Sequence, residues 1–123
     1  MRRLFNDESN GLDGCYTYSD KDYYVKDLIE ISKDLEVFEI PLKAIDLSRM
    51  PWSIDSIKDF AHHSHRMSKS DLKHPIILDV DGYICDGWHR LAKCLIEGKE
   101  TIKAVRLTVM PEPILKKDEK TIL

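Results

Sequence analysis

The sequence predicts an α+β domain in which a small mixed sheet packs with about three helices. Three observations lead there. Apolar residues recur at helical spacing over about 20–34 and again over 54–65. A strand–turn–strand unit, "HPIILDVDGYIC", runs into a third helical stretch over about 87–97. An alternating segment, "TIKAVRLTV", follows at once. The order is α-β-α-ββ-α-β.

Each element has its own local cause. Residues 1–18, with Gly11, Gly14, Asn6, Asn10 and several acids, read as a flexible arm that includes a short strand at "CYTY". Ser19 is a candidate N-cap, followed by Tyr24, Leu28, Ile31 and Leu35 at helical intervals. In "EVFEIPL", Val37, Phe38 and Ile40 favour a strand that Pro41 confines to an edge or an end. Pro51 disfavours helix at Met50, and Ser53 is positioned to cap a second helix whose stripe is Ile54, Ile57, Phe60 and Ala61. "RMSKSDLKHP" is polar and ends in Pro75, which predicts a loop with room for one helical turn. Asp81-Gly82 turns Ile76–Val80 back into Tyr83–Cys85. Leu91, Ala92 and Leu95 form the stripe of helix three, and Gly98 fits the position just past its end. The domain thus spans 19–109, with a C-terminal tail over 110–123.

Composition narrows the function classes. A chain of 123 residues, 42% hydrophobic and 33% charged, holds one core, not two. No run of eighteen apolar residues occurs, so no membrane span is expected, and "MRRLFNDESNG" lacks the apolar region of a secretion signal. Cys15, Cys85 and Cys94 have no C-x-x-C spacing, which points to a reducing, cytoplasmic setting without disulfides or zinc. A net charge of −3 argues against a broad duplex-DNA footprint, while leaving room for a local basic pocket.

The chemistry concentrates in "DGWHRLA". Asp86 lies where strand meets helix and is placed to cap Trp88 or His89. Gly87 lacks a Cβ, so backbone there can approach a ligand. The first turn of a helix presents unpaired N–H groups and partial positive charge, and His89 and Arg90 add donors at the same place. Phosphate is the anion that fits such a mouth best. A carboxylate beside phosphates can also hold Mg²⁺ or orient a nucleophile, which makes Asp86 the catalytic candidate.

Other clusters have blander explanations. "AHHSHR" places His62 and His65 at i,i+3 without a third zinc ligand, so it reads as a polar helix end. The alternative is a basic rim of His65, Arg66, Lys69 and Lys73 over the phosphate mouth. Asp79 and Asp81 read as turn chemistry, and Tyr16, Tyr18, Tyr23 and Tyr24 as aromatic cover for a small core.

The stretch "HPIILDVDGYICDGWHRLAKCLIEGKETIKAVRL", with "EIPLKAI" and "SIDSIKDFA" upstream, resembles the ParB/sulfiredoxin superfamily over about residues 35–109. The resemblance implies that the helix mouth holds nucleotide phosphates: CTP as in partition ParB proteins, ATP as in sulfiredoxins, or ADP and ATP as in ParB-like free-serine kinases. Carried across, Gly87, His89 and Arg90 match the phosphate-binding positions, and Ser56 matches a hydroxyl offered to the nucleotide. "DGWHR" is nearest to the kinase pattern "DGHHR", with Asp46 near the place of that family's proposed catalytic glutamate. Trp88 stands where sulfiredoxins carry their reactive cysteine, and Cys85 lies on the strand, so the resemblance does not extend to sulfinic-acid reduction. It implies nucleotide-dependent phosphoryl transfer or hydrolysis, with or without Mg²⁺, or else a non-catalytic module whose nucleotide gates association with a protein or, weakly, with nucleic acid.

Overall fold

The computed structural model describes residues 14–115. It has the expected α+β architecture: three α-helices, a two-stranded hairpin and a four-stranded mixed sheet. The strand expected at "CYTY" is β1 (Cys15–Tyr18), and it pairs antiparallel with β2 (Lys21–Tyr24). Ser19 is therefore not an N-cap. Ser19 and Asp20 form the two-residue turn, with φ of 50° and 61°, the left-handed pair that matches the twist of a tight hairpin. Helix α1 (Val25–Ser32) starts five residues later than the sequence pattern suggests and buries Val25 and Leu28.

Strand β3 (Phe38–Pro41) takes the edge that Pro41 requires, and a 3₁₀ turn (Leu42–Ala44) follows. Helix α2 (Ile57–Lys69) begins at Ser56, not Ser53. The Ser56 hydroxyl accepts the Asp59 N–H at 3.0 Å. Its expected apolar stripe does not pack: Ile57 is 81% exposed and Phe60 55%. The one helical turn allowed for in the stretch from Arg66 is the last turn of α2, which runs to Lys69, and Ser70 caps that end.

Strands β4 (Ile76–Leu78) and β5 (Ile84–Asp86) form the second hairpin. Its loop is longer than a two-residue Asp-Gly turn. Asp79 N–H donates to the Tyr83 carbonyl at 2.7 Å, Gly82 N–H donates to the Asp79 carbonyl at 3.0 Å, and Gly82 sits at φ 94°. This is the three-residue loop with a left-handed glycine. Helix α3 (Trp88–Ile96) buries Leu91 and Cys94, while Leu95 is exposed, contrary to the sequence reading. Gly98 (φ 72°) ends it as foreseen. Its N–H reaches the Leu95 carbonyl, and Lys99 N–H reaches Cys94, the paired bonds of a Schellman close. Strand β6 (Thr101–Arg106) completes the sheet in the order β3-β6-β4-β5, parallel to β4 and antiparallel to β3.

The sheet separates two apolar layers. Ile76, Leu78, Ile84, Ile102 and Ala104 meet Leu91 and Cys94 of α3 on one face. Ile77, Cys85, Val105 and Leu107 meet Val25 and Leu28 of α1, with Tyr23, on the other. Tyr16 and Tyr18 pack against that second layer, as aromatic cover should. Asp79 is 1% exposed and ties the hairpins together. Its Oδ1 accepts the N–H groups of Asp81 (2.9 Å) and Tyr83 (3.0 Å), and its Oδ2 accepts the Tyr16 hydroxyl at 2.7 Å. Turn chemistry accounts for this carboxylate in full. Beyond β6, Ile114 N–H returns to the Asp22 carbonyl at 2.7 Å.

Candidate anion-binding site

Strand β5 delivers the chain to α3 through Gly87, whose φ of 111° and ψ of 18° are left-handed. A Cβ at Gly87 would lie 2.6 Å from Ile76 Cγ2. The residue is thus fixed as glycine both by its backbone and by the strand beneath it. Gly87, not Asp86, is the N-cap, and no side chain caps the first turn of α3. Asp86 ends β5 and has another partner: its Oδ2 accepts Arg90 Nη2 at 2.7 Å, in a pair with side chains only 20% and 17% exposed. The expected capping carboxylate is instead the counter-ion of the helix's own arginine.

Below this mouth opens a cavity of about 910 Å³. Asp86, Gly87, Trp88, His89 and Arg90 form one wall. The last turns of α2 form another, with His65, Arg66 and Lys69, while α1 supplies Ile29 and the connection from α1 to β3 supplies Leu35 and Val37. The anticipated basic rim therefore exists for three of its four members, since Lys73 is not on the wall. Charge on the lining favours anions: Lys33, Arg66, Lys69 and Arg90 against Asp71 and Asp86, in a chain whose net charge is −3. Trp88 serves both sides, packing against the α3-side core while lining the cavity.

The structure gathers Asp86, Gly87, His89 and Arg90 and leaves Ser56 out. Ser56 caps the opposite end of α2 and is not on the cavity wall. Asp46 is also accounted for locally, since its Oδ1 accepts the N–H (3.0 Å) and hydroxyl (2.6 Å) of Ser48.

His89 differs from the cationic donor foreseen in the sequence. Its Nε2 lies 2.9 Å from His63 Nδ1. Trp52 stacks on both rings, at centroid distances of 4.4 Å to His63 and 4.2 Å to His89. Burial first, then the positive charge of Arg66 and contributions from His63, His62 and Arg90, push the His89 pKa down to about 3. Burial, with His62 and Arg66, also lowers His63, and Asp59 opposes. At neutral pH both imidazoles are uncharged, one donating and one accepting. Sequence reasoning missed His63 and Trp52. Once Ser56 is recognised as the cap of α2, His63 falls two turns along the helix and can face α3, and Trp52 marks the loop that roofs it.

The remaining candidate is inert. The buried Cys85 thiol donates to the Ile77 carbonyl at 3.3 Å, and burial, with Asp79 and Asp86, pushes its pKa up. Among the described residues, no group of three or more His, Cys, Asp or Glu side chains gathers to hold a metal. No helix there is long and apolar enough to cross a membrane. No protein-family model, curated protein or solved structure matches the chain.

Proposed function

We propose that this protein is a ParB/sulfiredoxin-like domain that binds a nucleotide by its phosphates at the mouth of α3. The observation that carries the reading is the cavity itself. Its volume of about 910 Å³ lies within the roughly 300–1,000 Å³ of small-molecule sites. One side is cationic and includes an uncapped helix N-terminus, and the other is apolar. Arg90 and Arg66 provide guanidinium donors for phosphate oxygens. Gly87 keeps the first turn clear of a side chain, and Ile29, Leu35 and Val37 offer a surface for a base. Mg²⁺ would arrive with the phosphates, because Arg90 already holds the Asp86 carboxylate.

That same ion pair favours a second reading, a module that binds without turnover and passes the signal to a protein partner or, weakly, to nucleic acid. Asp86 can act as a base or metal ligand only when Arg90 releases it. Calorimetric titration with ATP, ADP, CTP and GTP, with and without Mg²⁺, tests the binding. Arg90→Ala should weaken the best ligand by about 1.5–3 kcal/mol, as for a charged hydrogen bond. Unchanged affinity would place the phosphates elsewhere. Phosphate release that disappears in Asp86→Asn while binding persists identifies an enzyme, and absence of release in the wild type identifies the module.

A further inference from the structure

From the contact between His63 and His89 we infer that anion binding in this cavity is coupled to the uptake of one proton by the histidine pair. The inference rests on the anion-binding reading above and adds its regulation. The geometry sets the stoichiometry. A hydrogen bond between His63 Nδ1 and His89 Nε2, 2.9 Å apart, needs one N–H and one lone pair at the shared position. The pair can therefore be neutral, or carry a single proton, and keep its bond. Two added protons would leave no lone pair to accept, and the contact would break.

The surroundings decide which state is occupied. Arg66 and His62 on α2 and Arg90 on α3 press positive charge on the pair. Asp59 on α2 is the acidic group acting on His63, and the Asp86 carboxylate is held by Arg90. Trp52 stacks on both rings, and burial is the first cause that disfavours a cation on either imidazole. With the cavity empty of anions, the pair is thus held neutral. His89, Arg90 and Arg66 all line the cavity, so an anion seated there offsets the very charges that repel the proton. Proton uptake on the imidazoles then strengthens anion binding, and anion binding strengthens proton uptake by the same factor.

The sign follows. If the anion-filled form binds protons more tightly, affinity rises as pH falls, by up to tenfold per pH unit for one proton. Sulfate is the suitable probe because it keeps its charge across the range in which histidine titrates. Its affinity would be measured by calorimetry from pH 8 to pH 5 in buffers of different protonation enthalpy. In parallel, nitrogen NMR of ¹⁵N-histidine protein would locate the proton, with each signal assigned by its loss in the matching variant, His62→Gln, His63→Gln, His65→Gln, His74→Gln or His89→Gln. The expected result is uptake approaching one proton per sulfate, with imidazolium shifts at His63 or His89. Sulfate binding without proton uptake overturns the coupling and leaves the anion site standing. Uptake located only on His62, His65 or His74 overturns the assignment to the pair. Failure of both sulfate and ADP to bind at any pH overturns the site and the coupling together.

Discussion

Gly87 and Asp79 show how single residues fix this molecule. At Gly87 a methyl group would strike Ile76 and hold an unfavourable left-handed backbone besides. Gly87→Ala should therefore cost about 2–4 kcal/mol, combining overpacking with backbone strain. Gly98→Ala is the control: nothing lies within 4 Å of an added Cβ, so only the left-handed strain of about 1–2 kcal/mol remains. Denaturant unfolding of the two variants checks the order, and equal losses would contradict it. Asp79→Ala strands three donors and should cost about 3 kcal/mol or more. The Tyr16 phenol carries a pH signature. Burial, then its bond to Asp79, raises its pKa above the ordinary value near 10. Its contribution to stability is full below the pKa of the unfolded chain and lost as pH rises through the raised one. Melting temperature should thus fall above about pH 10 in the wild type and fall less in Tyr16→Phe.

Among the elements, α2 is the weakly anchored one. None of its thirteen residues is buried, yet it supplies the basic wall of the cavity. Polar contacts attach it to α3: the His63–His89 bond near its middle, and at its C-terminal end Lys93 Nζ, which donates to the carbonyls of Ser68 (3.2 Å) and Ser70 (2.8 Å). A cation there also suits the negative end of the helix. Amide exchange should be faster in α2 than in β4 or β6, and Lys93→Ala should widen that gap at a cost of about 1 kcal/mol. Equal protection of α2 and the central strands would refute this. Acid should lower the stability of the fold around the same pair. His89 has a folded pKa of about 3, below the ordinary histidine value of 6.5. The stability it contributes is present above 6.5 and is lost as pH falls toward 3. The apolar periodicity of Ile54, Ile57 and Phe60 suggested a buried stripe, but the helix meets α3 through the His63–His89 contact and leaves Ile57 and Phe60 exposed. No local pattern in the sequence distinguishes those outcomes. The hairpin at Ser19-Asp20 escaped notice for a related reason. Neither residue is glycine, and a serine before a helical pattern reads as a cap unless the second strand, Lys21–Tyr24, is already in view.

At the level of the whole molecule, the part from Pro75 to Val109 was largely legible, and the part before it only in outline, with its elements found but their starts and caps misplaced. Strand, turn, strand, helix and closing strand follow one another with short connections, so local signals at Asp81-Gly82, Gly87 and Gly98 suffice to order them. The cavity, by contrast, is built from α1, the end of α2 and the mouth of α3, which lie far apart in the chain. Their convergence depends on the sheet order β3-β6-β4-β5 and on helices covering both of its faces. This is also why Gly87, His89 and Arg90 could be singled out from sequence, while Arg66 and Lys69 remained one option among several and Ser56 was assigned to the wrong place. A site formed by cationic side chains should lose affinity steeply with salt, unlike binding through the apolar wall alone. The most direct test is a ¹H–¹⁵N NMR titration of the protein with ADP and CTP at low salt. The account predicts shifts at Asp86–Leu91, at the 65–70 end of α2 and around Ile29, Leu35 and Val37. Absence of shifts at saturating nucleotide, or shifts centred on the Tyr16–Asp79 hairpins instead, would contradict it.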